Sequence, residues 1–354
     1  MNKKNYWILT VVLALLLAAC TPEKGPRETT QNPTVENVFT QPSTTVTEPG
    51  EDSGDLGSLR VSLTTWETDD MGRYLNYTGA EMPLTLSIEA SGKVRENGIG
   101  FLLFVDGLPQ PYRTADEDYA YLHTFYPQSE NSCQVELIFT PITGKSGDNL
   151  EMYCVSVLNP DFSFTEDDYT GPVYTSWAPP IGFRLNYQQT PPAEVFPQGS
   201  PRLSQPEIRK EPLSYSEVGT WTEQDLLESI ETHLYANGVT DTRTPCVFGI
   251  KESQPIQLRY EIFGSPYVRY HLVFFVDNQP VASQDGTPIF VDVENGQKTV
   301  VEAQLDMTGF DTESVLYAVL VPQNYFSTPV RTFAFAVPSS PIFLLEGAKE
   351  DYIP

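Results

Sequence analysis

Two patterns of apolar and polar positions run along the chain. Leu84, Leu86 and Ile88 alternate with Thr85, Ser87 and Glu89, the period-two signature of a strand with one buried face. Phe101 to Val105 is an unbroken apolar run, which suits a central strand. It ends on Asp106-Gly107, a pair that favours the left-handed dihedrals of a tight hairpin. Val135, Leu137 and Phe139 alternate again, and Met152–Leu158 and Phe183–Tyr187 complete the series. The series then recurs. Phe274-Phe275-Val276-Asp277-Asn278 lies 171 positions after Leu103-Phe104-Val105-Asp106-Gly107. Ile256–Glu261 repeats Leu84–Glu89, and Leu316–Val321 repeats Met152–Val157, each of these followed by a proline, Pro322 or Pro160. Phe333–Val337 is matched with Phe183–Tyr187. Matches of this length in the same order indicate duplicated domains, because solenoid repeats are far shorter.

Roughly five to seven short strands per copy, separated by turn signals, predict an all-β fold. It resembles the immunoglobulin-like architecture: two tandem antiparallel β-sandwiches, without the Cys…Trp…Cys core of antibody domains. One helix is expected at the start of the second copy. Thr222-Glu223-Gln224-Asp225 reads as a capping motif, Leu226, Leu227, Ile230 and Leu234 recur at helical spacing, and Asn237-Gly238 supplies a stop. The corresponding Trp66–Tyr77 contains Gly72 and is only weakly helical.

Composition divides the chain further. Residues 20–57 are rich in Thr, Pro, Glu and Ser and cannot repay the entropy of ordering, so a disordered tether is expected. Six prolines between 188 and 214 suggest a semi-rigid linker. The expected plan is a leader over 1–19, the tether, sandwiches over 58–187 and 215–345 flanking the linker, and a tail over 346–354.

The leader carries Lys3 and Lys4, an apolar core from Trp7 to Leu17, and small residues before Cys20. This is a secretory layout, and the apolar run falls short of the ~20 residues of a membrane span. Leu17-Ala18-Ala19-Cys20 resembles the lipobox of bacterial lipoproteins. That resemblance implies a diacylglyceryl thioether on the Cys20 sulfur, cleavage before it, and an anchor on the outer face of the cell membrane. Two acyl chains hold stably where one holds marginally. Thr21 rather than Asp follows, which in a two-membrane organism resembles an outer-membrane sorting signal.

With 21 basic against 47 acidic side chains, the net charge is −26, which argues against a nucleic-acid partner. Cys133, Cys154 and Cys246 lack C-x-x-C spacing; Cys133 and Cys154 flank an expected hairpin, and buried free thiols are the favoured reading over a disulfide. Three histidines, His123, His233 in the expected helix and His271, belong to no catalytic motif, and no cofactor or metal site is expected. The acidic clusters Asp116-Glu117-Asp118 and Glu166-Asp167-Asp168 lack an EF-hand pattern and read as solvated loops. Tyr119, Tyr121, His123 and Phe125 would share one face of a strand. They are read chiefly as core and, failing that, as ligand-contact aromatics for a glycan or an envelope protein. The function expected is that of a non-catalytic anchored lipoprotein presenting two modules in the envelope. The rivals are a solute-binding lipoprotein, which needs α/β lobes, and a carbohydrate-binding or hydrolytic envelope protein.

Overall fold

The computed structural model describes residues 57–346 except 71, 129–131, 163–174, 194–201, 215–221, 241–245, 251–253, 265, 267, 309–312, 324–335 and 340. The leader, Cys20, the tether up to 56, Glu166-Asp167-Asp168 and the tail lie outside the described residues.

The first sandwich opens with β1 (Leu59–Leu63), β2 (Glu67–Asp69), β3 (Gly72–Tyr77), β4 (Met82–Ala90) and helix α1 (Gly92–Glu96). It continues with β5 (Ile99–Val105), β6 (Leu108–Gln110), β7 (Thr124–Phe125), β8 (Cys133–Phe139), β9 (Asn149–Leu158) and β10 (Ser176–Tyr187). One sheet is ordered β1-β4-β8 and the other β2-β3-β10-β9-β5-β6, with β7 also on β5. All pairings are antiparallel except β3 with β10. A three-stranded sheet facing a larger one, in which the early strand β3 joins the last strand β10 in parallel, is an immunoglobulin-like sandwich.

The second copy comprises β11 (Glu207–Pro212), α2 (Glu223–Glu228), β12 (Ile230–Ala236), β13 (Val239–Thr240), β14 (Cys246–Ile250) and β15 (Ile256–Gly264). Then follow β16 (Arg269–Val276), β17 (Gln279–Pro280), β18 (Ile289–Asp292), β19 (Gln297–Leu305), β20 (Glu313–Gln323), β21 (Val337–Pro338) and β22 (Ile342–Glu346). The orders β11-β19-β15-β12-β13 and β14-β22-β20-β16-β17 repeat the first plan, again with one parallel pair, β14 with β22. Registers agree residue by residue: Val105 pairs with Met152 as Val276 pairs with Leu316, and Phe104 with Tyr153 as Phe275 with Tyr317. Each sandwich encloses its own apolar core, built in the first copy on Leu84, Leu86 and Ile88 and in the second on Ile256, Leu258 and Tyr260.

Several expectations are corrected. The helix over 222–238 stops at Glu228, although its Thr222–Asp225 capping box forms. Ile230, Leu234 and His233 stand on β12, which pairs along its whole length with β15; seven residues gain a ladder there that a surface helix would not offer. Asn237-Gly238, with φ of 48° and 82°, is the hairpin turn into β13 rather than a helix stop. Trp66–Tyr77 contributes two strands, and α1 is a second short helix. Cys133 and Cys154 do not flank a hairpin, because β8 pairs with β4 while β9 lies in the opposite sheet, and both thiols are free. The strand equivalent to the end of β10 is β22 at Ile342–Glu346, not Phe333–Val337, of which Ala336 and Val337 are described. Part of the proline-rich stretch is not spacer: β11 adds to the edge of β19, and Leu203 is buried in the second core.

The two sandwiches do not hang apart. Leu102, Phe104, Tyr153, Val155 and Val157 form a third buried cluster with Val273, Phe275, Tyr317, Val319 and Val321. These are the same five positions of each copy, so the large sheets pack face to face about a pseudo-two-fold axis, the single-chain counterpart of an isologous dimer. Each copy's β5–β6 or β16–β17 turn reaches the end of the other's long strand. Gln323 Nε2 donates to the Asp106 carbonyl at 2.7 Å, and Asn278 Nδ2 donates to the Pro160 carbonyl at 3.3 Å. Trp177 closes the seam, its indole N–H 2.9 Å from the Ser339 carbonyl and its ring 4.5 Å from Tyr317.

Candidate functional site

Aromatics that alternation would place in one row are sent to three destinations. Tyr112 is the cause. It is fully buried, its hydroxyl donates to the Phe101 carbonyl at 2.9 Å, and the His123 N–H donates back to that hydroxyl at 3.1 Å. The His123 ring packs on it at 5.1 Å, and Ala120 bridges to its backbone. The segment 112–123 therefore winds around Tyr112 instead of extending as a strand.

Tyr119 goes to a surface ion cluster: its hydroxyl donates to Glu81 at 2.7 Å, while the Arg113 guanidinium grips both Glu81 oxygens at 3.0 and 2.8 Å. The Arg113 fork first and the Tyr119 hydroxyl second pull the Glu81 carboxyl down to about 2. Phe125 joins the first core, 5.8 Å from Phe101. Tyr121, half-buried, lines a cavity; burial pushes its hydroxyl pKa up.

That cavity is a cleft of about 270 Å³ at one end of the seam between the sandwiches. Leu108, Pro109, Tyr121 and Ile142 form one wall, and β16 with the segment after β17 forms the other. Val281 and Ala282 are half-buried there, so the lining is apolar without being sealed. His271 supplies the polar group. It is 4% exposed, and its Nδ1 hydrogen-bonds the Gly107 carbonyl across the seam, which fixes Nδ1 as the protonated nitrogen. Burial holds the imidazole down to about 4, with the Gly107 bond opposing it. Gly107 has φ of 80° and sits so close that a Cβ there would lie 2.8 Å from the His271 Cβ. Glycine is thus required twice over, by the turn and by the approach. Ser283 is satisfied internally by Asp285 and the Thr287 carbonyl at 2.9 and 2.8 Å.

On the outer face of the second sandwich, Arg209 and Glu211 of β11, Arg259 and Glu261 of β15, and Lys298 and Glu302 of β19 form a continuous ion ladder. Glu211 touches Arg209 at 3.0 Å, Arg259 at 3.1 Å and Lys298 at 3.5 Å, so the ladder latches β11 to the sheet. Asp116-Glu117-Asp118 is a loop in which Glu117 meets His123 at 2.8 Å. Among the described residues no group of three or more His, Cys, Asp or Glu is disposed to hold a metal ion, and no helix is long and apolar enough to cross a membrane.

Sequence reasoning missed the seam and the cleft. The signal was present: Phe101–Val105 and Tyr153–Val157 lack alternation, and so do their counterparts, which indicates strands covered on both faces.

No family model matches the chain, and no curated protein matches it. Among solved structures it is similar to the fibronectin(III)-like modules of Clostridium thermocellum CbhA, at 10% identity over 81% of this chain and 95% of that one, TM-score 0.20. It is also similar to the N-terminal immunoglobulin modules of the Drosophila receptor protein tyrosine phosphatase DLAR, at 9% identity over 81% and 98%, TM-score 0.21. A third similarity is to the C-terminal domain of the Streptococcus agalactiae AgI/II polypeptide BspA, at 7% identity over 81% and 99%, TM-score 0.19. Strand order and register define the immunoglobulin-like fold of both copies.

Proposed function

We propose that the chain is a non-catalytic lipoprotein, anchored outside the cytoplasmic membrane through a lipid on Cys20, that presents its two immunoglobulin-like sandwiches as one binding body. The observation that carries the binding part is the fused seam with its half-open apolar cleft. An apolar concavity with one convergent polar group is the usual form of a recognition site, and a packed seam presents it preorganised. The anchoring part is supported by the lipobox-like ending before Cys20 and by the composition that follows it.

The test is incorporation of labelled palmitate into the full chain and its Cys20→Ser variant in a bacterial host. Label in the first, with unprocessed, unlabelled precursor in the second, is expected. Label that survives the substitution overturns the anchor.

A further inference from the structure

We infer that the cleft between the sandwiches is a site for a single neutral phenolic ring. The inference rests on reading the chain as a binding body and names what that site takes.

Size comes first. Sites for drug-sized ligands span about 300–1,000 Å³; at about 270 Å³ the cleft is sized for a single ring rather than for a whole oligosaccharide. Next is the wall. Leu108, Pro109, Ile142 and Val281 offer apolar surface, and the Tyr121 ring stands among them. Such a lining suits an aromatic plane, since aromatic pairs add about 0.5–1.5 kcal/mol beyond burial. A sugar would need several hydrogen bonds, and the aliphatic hydroxyls of that wall are already engaged, Ser283 with Asp285 and the Thr287 carbonyl and Thr287 with Asp285.

The polar complement is specific. Because the His271 Nδ1–H is given to Gly107, Nε2 is left as a lone-pair acceptor. It meets no hydrogen-bond partner among the described residues, and His271 lines the cleft. A ligand that fills the cleft must give that nitrogen one hydrogen bond from an otherwise apolar body. A phenol does so. The formal charge of −26 opposes an anionic ring such as a phenyl phosphate. The ring belongs either to a free phenol or to a tyrosine side chain of a polypeptide, and both share this chemistry.

The experiment is saturation-transfer NMR on the full chain in detergent with p-cresol and with toluene, which lacks only the hydroxyl. Binding of p-cresol at least about tenfold tighter than toluene is expected, because a site that hydrogen-bonds a hydroxyl discriminates against its absence. His271→Phe should erase the preference, and Ala282→Trp, which fills the cleft from its rim, should abolish binding of both. Circular dichroism verifies folding, and Tyr121→Leu, a change outside the seam cluster, is a second variant expected to weaken both ligands. A blocked Gly-Tyr-Gly peptide separates the sources: binding at least as tight as p-cresol assigns the ring to a polypeptide, and exclusion of the peptide assigns it to a free phenol. No binding of p-cresol, equal affinity for toluene, or binding that survives Ala282→Trp overturns the inference. Failure here leaves the palmitate result standing, and failure of the palmitate test leaves this titration intact.

Discussion

Phe104 and Phe275 occupy the same position in the two copies, and their rings meet edge to face at 6.1 Å across the seam. Phe275 in turn stacks on Tyr317 at 5.1 Å and 7°. The contact makes the second sandwich part of the first one's stability. Replacing Phe275 with Ala removes a fully buried ring from a shared layer, and costs of about 3–5 kcal/mol accompany such truncations. Urea denaturation should show a lower midpoint for both halves together. A variant that destabilised one half and left the other at its original midpoint would contradict the shared layer.

Acid should weaken the same seam through His271. Its pKa falls from 6.5 to about 4 on folding, because burial disfavours the imidazolium. The folded state therefore binds fewer protons than the unfolded state between those values. The stability is fully present above about pH 6.5 and is lost as pH falls towards 4, by roughly 2–4 kcal/mol on the linkage relation. His271→Leu should flatten this part of the pH profile, measured as urea stability at pH 7.5 against pH 4.5. An unchanged pH slope in the variant would rule His271 out as its source.

The ladder on the outer face divides into parts of unequal worth. Glu261 and Lys298 are both largely buried and 3.1 Å apart, so Glu261→Ala leaves a buried ammonium short of a partner. A loss of about 3–5 kcal/mol is expected. Glu211→Gln changes a partly exposed side chain and leaves Lys298 its closer Glu261 partner, so it should cost under about 1 kcal/mol, a loss that shrinks with salt. Amide exchange in β11 should nonetheless quicken in that variant, since Glu211 ties that strand to two others. Equal losses for the two variants would contradict the division.

Thiol reactivity should separate Cys133 from Cys154. Burial raises both thiol pKa values, and far more for Cys154, which is fully enclosed. Peptide mapping after brief iodoacetamide treatment of the native protein should find slow labelling at Cys133 and none at Cys154, with both labelled in denaturant. Native labelling of Cys154 would place it outside the core.

Much of this architecture was legible in local pattern. The alternation of Leu84, Leu86 and Ile88, and the matched runs ending at Asp106 and Asp277, fixed strands and register because a one-residue slip would turn the apolar side outward. The failures share a cause: tertiary pairing overrode local spacing. Ile230 and Leu234 fit a helix as well as a strand, and β15 decided between them. Tyr119, Tyr121 and Phe125 fit a strand until Tyr112 claimed the chain around it. The cleft could not be read at all, since its two walls come from positions more than a hundred residues apart in sequence and meet only when the copies pack.

Gly100 and His271 hold corresponding places on β5 and β16, yet the Leu122 side chain lies over the glycine while the histidine borders open space. Two separate identical chains meeting about a dyad would have to carry every such detail on both sides. Fusion into one polypeptide lifts that obligation: one half can be plugged for rigidity while its twin is left unplugged to receive something. The asymmetry at this single pair is what turns a structural duplication into a molecule with a front and a back.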